Sequence, residues 1–322
     1  MKKYLISPEL NQYKANMHSH CTLSDGRYEP EFLKDAYKER GYSVFAYSDH
    51  GHINDVRYLE DPDFIPLLSA ELDVQGEPGP REDSPFNVKK CFHYNIYARD
   101  PENYMNDIRN TRGKSGLKVI AEAIDEAKDR DLFVSANHPG WSLYDEKDFI
   151  SLKRLDAIEI GNSITATYGG ALSFMHDIYL CMLRNGNRVL PLGGDDNHSF
   201  CKPFENPNND SFKNFTYILS DKLNYSSIIG ALDKGNAYYS AGPQFFEVSA
   251  EGENITVKTS GVRSVSIITE NGKAFSARAH KGETVDTLTA NVADGGKFFV
   301  VYAIDNNGKP AITRGFFKGE DY

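Results

Sequence analysis

Cysteine is scarce in this chain: Cys21, Cys91, Cys181 and Cys201 are the four present, with no CxxC pair and no repeated interval among them. Neither a disulfide framework nor a thiolate zinc site is indicated, and free thiols in a reducing compartment are expected. Long apolar runs are missing as well, so no stretch has the length of a membrane span. Lys2 and Lys3 are followed only by Tyr4 to Ile6 before Ser7 and Pro8, too little for the apolar region of a signal peptide. A cytoplasmic protein is expected. Positive charge is in deficit, with 36 Lys and Arg against 46 Asp and Glu for a formal net charge of -10. That excludes a general affinity for nucleic-acid backbones or anionic membranes, while leaving room for a local basic pocket. What is present is an ordinary balance for a large buried core: 322 residues, 40% hydrophobic and 12% aromatic.

Short apolar runs alternate with helical spacing through most of the chain. Ala15 to His18 reads as a strand running into a polar loop, and Glu31 to Arg40 as a helix opened by Pro30 and stopped by Gly41. Ser43 to Ser48, Phe64 to Leu72 and Phe92 to Ala98 are strand candidates, the second spoiled slightly by Pro66. Gly116 to Asp129 has helical periodicity and leads into the strand-like Leu132 to Ala136. Leu155 to Ile160 and Val189 to Leu192 are further strands, with an amphipathic stretch from Ala171 to Asn185 between them. From Ser199 to Gly242 a helix over Tyr225 to Lys234 and a strand over Ala237 to Ser240 are expected. The repeated strand-helix order points to an α/β barrel or a doubly wound sheet. Beyond Gly242 helical periodicity stops, and Asn271-Gly272 and Asn307-Gly308 turn signals separate short strands. Two domains follow from this texture, residues 1–242 and a small antiparallel β-sandwich-like domain of residues 243–322. Residues 73–91, rich in Pro, Gly and charge, read as an inserted loop.

Histidine placement carries the chemistry. His18 and His20 are two apart, so on an extended strand both imidazoles share a face and can share an ion. An isolated HxH is as often a pair of hydrogen-bonded strand residues. Here every later strand candidate ends in another ligand type: His50 after YSD, Glu71 after LLSA, His93 after CF, His138 after SAN, and Asp196 with His198 after PLGGD. In a barrel of parallel strands these ends face one mouth. The donors exceed the needs of one tetrahedral ion and Glu71 has two oxygens with which to bridge, so a multinuclear site is expected.

The segments MHSHCTLSDG (17–26), PEFLKDAYKERGY (30–42), YSDH (47–50) and GDDNH (194–198), in this order, resemble the polymerase and histidinol phosphatase (PHP) family. The likeness spans roughly residues 14–240. It implies a distorted seven-stranded (β/α)7 barrel holding two or three divalent ions, commonly zinc, manganese or iron. By resemblance, His18, His20, Glu71 and Asp196 would hold one ion, Glu71, His93 and His138 a second, and Asp25, His50 and His198 a third. Asp25 stands where some members have histidine, which makes the third position a harder one. Asp195 replaces the usual small residue before the matched aspartate, so Asp195 and Asp196 both stay open as the ligand, with the D-x-H spacing favouring Asp196.

Around this set, Asp49 is either an orienting partner of an imidazole or part of the barrel wall. His52, Arg81, Lys89 and Arg112 are candidate substrate contacts, with Lys90 and Lys114 adding charge nearby and Asn137, Trp141 and Tyr168 in loops after strands. His176 and His280 read as structural or surface residues. The expected activity is hydrolysis of a small, anionic phosphate ester by hydroxide formed at two close ions, with Glu71, Asp196 and His198 as catalytic residues. A carboxylic or carbamate ester hydrolase on the same metals is the alternative, since the barrel, the YYSAGP strand and the β-rich tail look similar to the branch of the family that includes carbaryl hydrolase. A non-catalytic, metal-stabilised binding protein is the third reading.

Overall fold

The computed structural model describes residues 2–75, 90–104, 116–169 and 175–322. Strands β1 (Lys3–Ile6) and β2 (Asn11–Asn16) precede the loop carrying His18 and His20. Helix α1 (Pro30–Lys38) begins on Pro30, whose ring presets a helical φ, and buries Leu33, Ala36 and Tyr37 along one stripe. Gly41, at φ +77°, turns the chain out of it. Strands β3 (Tyr42–Tyr47), β4 (Ile65–Gln75) and β5 (Cys91–Ala98) follow. Helix α2 (Leu117–Asp129) buries Ile120, Ala123, Ile124 and Ala127 at helical spacing before β6 (Leu132–Ala136). Asp145 opens α3 (Glu146–Ser151) by accepting from the Lys147 and Asp148 N–H groups. Then come β7 (Ala157–Asn162), α4 (Ser163–Gly169), α5 (His176–Arg184) and β8 (Leu190–Gly194), followed by β9 (Phe215–Ser220), α6 (Tyr225–Asp233) and β10 (Ala237–Ser240).

Strands β2, β3 and β4 run parallel, as do β6, β7 and β8. Between these blocks β5 is antiparallel to both β4 and β6. On its other edge β2 pairs antiparallel with β9, which continues to β10. The fold is therefore a mixed α/β one with an open sheet, not the expected closed ring of seven strand-helix units. The reason is edge occupancy: β3 and β9 take both edges of β2, leaving none for β8, which pairs only with β7.

The sheet still curls until β8 meets the end of β2. The Asp196 N–H donates to the His18 carbonyl at 2.8 Å, and the His20 N–H to the Asn197 carbonyl at 3.1 Å. The Thr216 hydroxyl of β9 accepts from the Gly193 N–H at 2.9 Å and donates to the Gly193 carbonyl at 3.1 Å. The Tyr239 ring of β10 fills the remaining gap, lying so close to Gly161 and Gly193 that a Cβ on either would collide with it. Here glycine is required by close approach.

The tail comprises β11 (Phe245–Glu251), β12 (Asn254–Val262), β13 (Ser264–Thr269), β14 (Ala274–Arg278), β15 (Val285–Asn291), β16 (Phe298–Ile304), β17 (Pro310–Thr313) and β18 (Phe316–Phe317). Two sheets form, one in the order β1-β11-β12-β15, the other running β14-β13-β16-β17 and on into β10. Val248, Val257 and Val262 meet Val265, Phe299 and Val301 in one apolar cluster. The alternating burial of β13 is what a strand with one solvated face produces. The N-terminal β1 lies in the tail's sheet, and the larger sheet passes without interruption across the expected division after residue 242. Among the described residues, no helix is long and apolar enough to cross a membrane.

Candidate metal centre

Nine side chains from seven separate stretches of chain converge where β8 meets β2. Three groups of ligand atoms, each with its members within 4.8 Å of one another, share Glu71 and His20 as common members: His18, His20, Glu71 and Asp196; Glu71, His93 and His138; and His20, Asp25, His50 and His198. The two oxygens of Glu71 face different nitrogens. Oε1 lies 2.8 Å from His93 Nδ1, 3.3 Å from His138 Nε2 and 3.4 Å from His18 Nε2, while Oε2 lies 3.2 Å from His20 Nε2 and 3.4 Å from His50 Nδ1.

Strand direction explains how these residues meet, and it differs from the expected all-parallel pattern. Glu71 lies inside β4, which runs on to Gln75, and His93 is near the start of β5. Because β5 is reversed, its beginning lies at the mouth where its parallel neighbours end.

The imidazoles are held from behind. His18 Nδ1 is 3.2 Å from Glu159 Oε1, His138 Nδ1 is 3.2 Å from the Ser142 hydroxyl, and His198 Nδ1 is 3.0 Å from the Asp196 carbonyl oxygen. With the proton on Nδ1 in each case, all three Nε2 lone pairs turn toward the cluster. Asp196 (φ +51°) and His138 (φ +24°) sit in the left-handed region, which costs a non-glycine residue about 1–3 kcal/mol and persists where surroundings overdetermine it. Asn137 donates to Glu71 Oε1 at 2.9 Å and Asn162 to Asp196 Oδ2 at 3.1 Å.

Carboxylates and imidazoles set one another's charge state across the cluster. Burial opposes a charge on His20, but the carboxylates of Asp196 and Glu71 outweigh it and push its pKa up to about 9. The same contest, with Glu159 added, raises His18 well above its usual value. Glu71 is held well below the carboxylate range, burial being outweighed by His93, His18 and His138. Asp25, against the effect of burial, is brought down to about 2 by His198, His20 and His50. Burial lowers His50. Two buried atoms, His20 Nδ1 and Asp196 Oδ1, have no hydrogen-bond partner, although Asp196 Oδ1 lies 3.0 Å from His20 Nε2 and 3.3 Å from His18 Nε2. Stranded lone pairs are costly in a buried site, and a divalent cation satisfies them. Nitrogen and carboxylate donors without thiolate suit zinc, manganese or iron.

Geometry separates the adjacent aspartates. Asp195 is saturated by the Tyr37 hydroxyl at 2.7 Å, the Ser163 hydroxyl and the N–H groups of Phe212, Lys213 and Asn214. It faces the loop after β8, and Asp196 faces the cluster. Asp49 is fully buried and accepts from the Cys21 N–H at 3.0 Å and the Ser24 hydroxyl at 2.6 Å, bracing the loop before Asp25.

A cleft of about 380 Å³ opens over the cluster, walled by Trp141, Ile164, Thr165 and Phe200. Trp141 stands edge-on to His93 and His138, and Phe200 stacks on His198. His52 is exposed and does not line this cleft. Lys90 is paired with Asp148 and Asp145. Arg81, Lys89, Arg112 and Lys114, and the Tyr168 side chain, lie outside the described residues. Sequence reasoning missed Glu159, Ser142, Asn162 and Phe200. A lone carboxylate inside the apolar AIEIGN run was the available signal for Glu159, because an unpaired charge does not stay in such a strand.

No family model matches the chain, and no curated protein matches it. Among solved structures it is similar to a two-domain protein containing a predicted PHP-like metal-dependent phosphoesterase from Bacteroides vulgatus, at 15% identity and a TM-score of 0.49, over 97% of this chain and 98% of that one. It is also similar to an amidohydrolase from Chromobacterium violaceum, at 14% identity and a TM-score of 0.38, over 57% of this chain and 87% of the other.

Proposed function

We propose that this chain is a metal-dependent hydrolase acting on a small phosphate ester. The observation that carries the reading is Glu71, a buried carboxylate whose two oxygens face two sets of imidazoles beneath an open cleft. His18, His20, Glu71 and Asp196 would hold one ion, Glu71, His93 and His138 a second, and Asp25, His50 and His198 a third. Bound divalent ions supply Lewis acidity and lower the pKa of water. The residues themselves fix the ligand geometry, and Trp141, Ile164 and Phe200 give the cleft apolar walls. Asp196, and His198 when the third position holds no ion, would exchange a proton with the leaving group.

A carboxylic or carbamate ester is the second reading, favoured by one observation: among the described residues, no Lys or Arg lines the cleft. A neutral ester needs no such cation. A purely structural metal site is disfavoured by the cleft, since structural sites close around their ions and catalytic ones keep an open position. The test is hydrolysis of a matched pair, an aryl phosphate and an aryl carboxylate with the same leaving group, by protein loaded with zinc, manganese or iron. Metal-dependent phosphate release is expected. Cleavage of the carboxylate alone replaces the first reading with the second, and cleavage of neither by any loaded form overturns both.

A further inference from the structure

Glu159 is a carboxylate only 3% exposed, on β7, outside all three ligand groups. Three donors converge on it. His18 Nδ1 lies 3.2 Å from Oε1, while the His138 backbone N–H and Asn162 Nδ2 each donate to Oε2 at 2.9 Å. Each donor leads to a ligand. His18 belongs to the first group, His138 to the second, and Asn162 also donates to Asp196 Oδ2. Room for this arrangement comes from Gly194, where a Cβ would stand 2.6 Å from the His18 Cβ and 3.0 Å from Glu159 Oε1.

We infer that Glu159 is a positioning residue that sets the His18 tautomer and the left-handed backbone of His138 together, so that the two inner ion sites are built and lost as a unit. The chemistry requires an acceptor at both oxygens. An ionised carboxylate accepts from all three donors at once, and no neutral side chain of the same shape does. Glutamine is the isostere, and its NH₂ must face either the His18 Nδ1–H or the His138 and Asn162 N–H groups, setting donor against donor. With Nδ1 no longer held, the His18 ring is free to turn or to move its proton to Nε2, which removes the lone pair facing Asp196 and Glu71. With the His138 N–H unheld, the strained turn relaxes and carries the second ring away from Glu71. This inference rests on the metal-binding reading above.

The experiment measures zinc and manganese binding by calorimetry and metal analysis on full-length wild type, Glu159→Gln, Glu159→Asp and His93→Ala, with melting of the metal-free forms as the control for folding. Outer-partner substitutions typically cost about 10- to 100-fold in metal affinity. A loss of that size is expected at both inner sites in Glu159→Gln, measured well below the melting temperature of its metal-free form, whereas His93→Ala loses one ion and keeps the other. Glu159→Asp, which keeps the charge on a shorter stem, should recover part of the affinity. The ¹⁵N signals of the His18 ring, recorded in the metal-free protein at a pH high enough for the ring to be neutral, should report Nδ1–H in wild type and a mixture of tautomers in Glu159→Gln. Affinity within about twofold of wild type at both sites, or loss at only one, overturns the inference about Glu159. Failure of wild type to bind either ion overturns the metal reading itself.

Discussion

At the inner end of the cluster His18, Glu71 and Asp196 are nearly inaccessible, and their atoms are aimed by Glu159, Asn137 and Asn162 from outside the ligand groups. At the outer end the Asp25 side chain is 51% exposed and that of His50 36%, and Asp25 is steadied by a 3.3 Å hydrogen bond from its neighbour Ser24. Pre-organised, water-poor donors lose little freedom on binding an ion, while exposed ones must be ordered and stripped of water. One continuous cluster is therefore expected to bind ions tightly at its inner end and to exchange them at its outer end.

The most damaging way to break this contrast is at its shared carboxylate. Glu71→Gln should abolish binding at both inner sites and lower kcat by a factor of about 10³ or more, since residues acting as a unit fail together. Metal content after gel filtration and turnover of the best ester check it, and retention of two tightly bound ions would contradict the bridging role.

The adjacent aspartates offer the next test. Asp195→Ala strands five donors and should destabilise the protein by roughly 3 kcal/mol or more whether metal is present or not. Asp196→Asn should lose metal, and its cost to metal-free stability should fade as pH rises and the paired imidazoles of His18 and His20 give up their protons, whereas the cost of Asp195→Ala should not. Denaturant melts across pH, with and without chelator, separate the two outcomes.

Outer substitutions should be milder. Asp25→Asn is expected to weaken one ion by about tenfold, a typical cost for one ligand or its partner, and to leave the inner pair at full occupancy. Simultaneous loss of all ions would show that the inner and outer parts are not separable.

The smallest effect is one of pH. In metal-free protein His20 is raised from the ordinary imidazole value to about 9. A raised group stabilises the fold most below its unfolded value, and that contribution fades as pH climbs through the folded one. The chelated protein should therefore lose Tm between about pH 6.5 and 9. The loaded protein, whose ions displace these protons, should not, and metal uptake should release more protons at the lower end of that range. A flat Tm for the chelated form across this window would contradict the assignment.

Residues whose message is local were legible in advance. α1 follows from Pro30, the Leu33, Ala36 and Tyr37 spacing and Gly41, and α6 from the run between Tyr225 and Lys234. β9 was missed within the 199–242 segment, because a six-residue apolar run gives little periodicity to read. The amphipathic stretch from Ala171 to Asn185 narrows to α5, His176–Arg184, within the described residues. Where expectation failed, the deciding partner was remote: Glu159 acts on His18 across 141 positions, and Asp195 meets Tyr37 across 158.

By itself, then, the sequence singled out the nine side chains that gather, eight from their places at short strand-like runs and Asp25 from the family resemblance. Tertiary structure alone decided how they gather. The reversal of β5 carries His93 to the mouth from a strand start, β9 takes the edge that would have closed the sheet, and the turn after β8 points Asp196 inward while Asp195 caps a loop. Strand direction and edge occupancy are properties of pairs of segments far apart in sequence, and no window along one chain contains them.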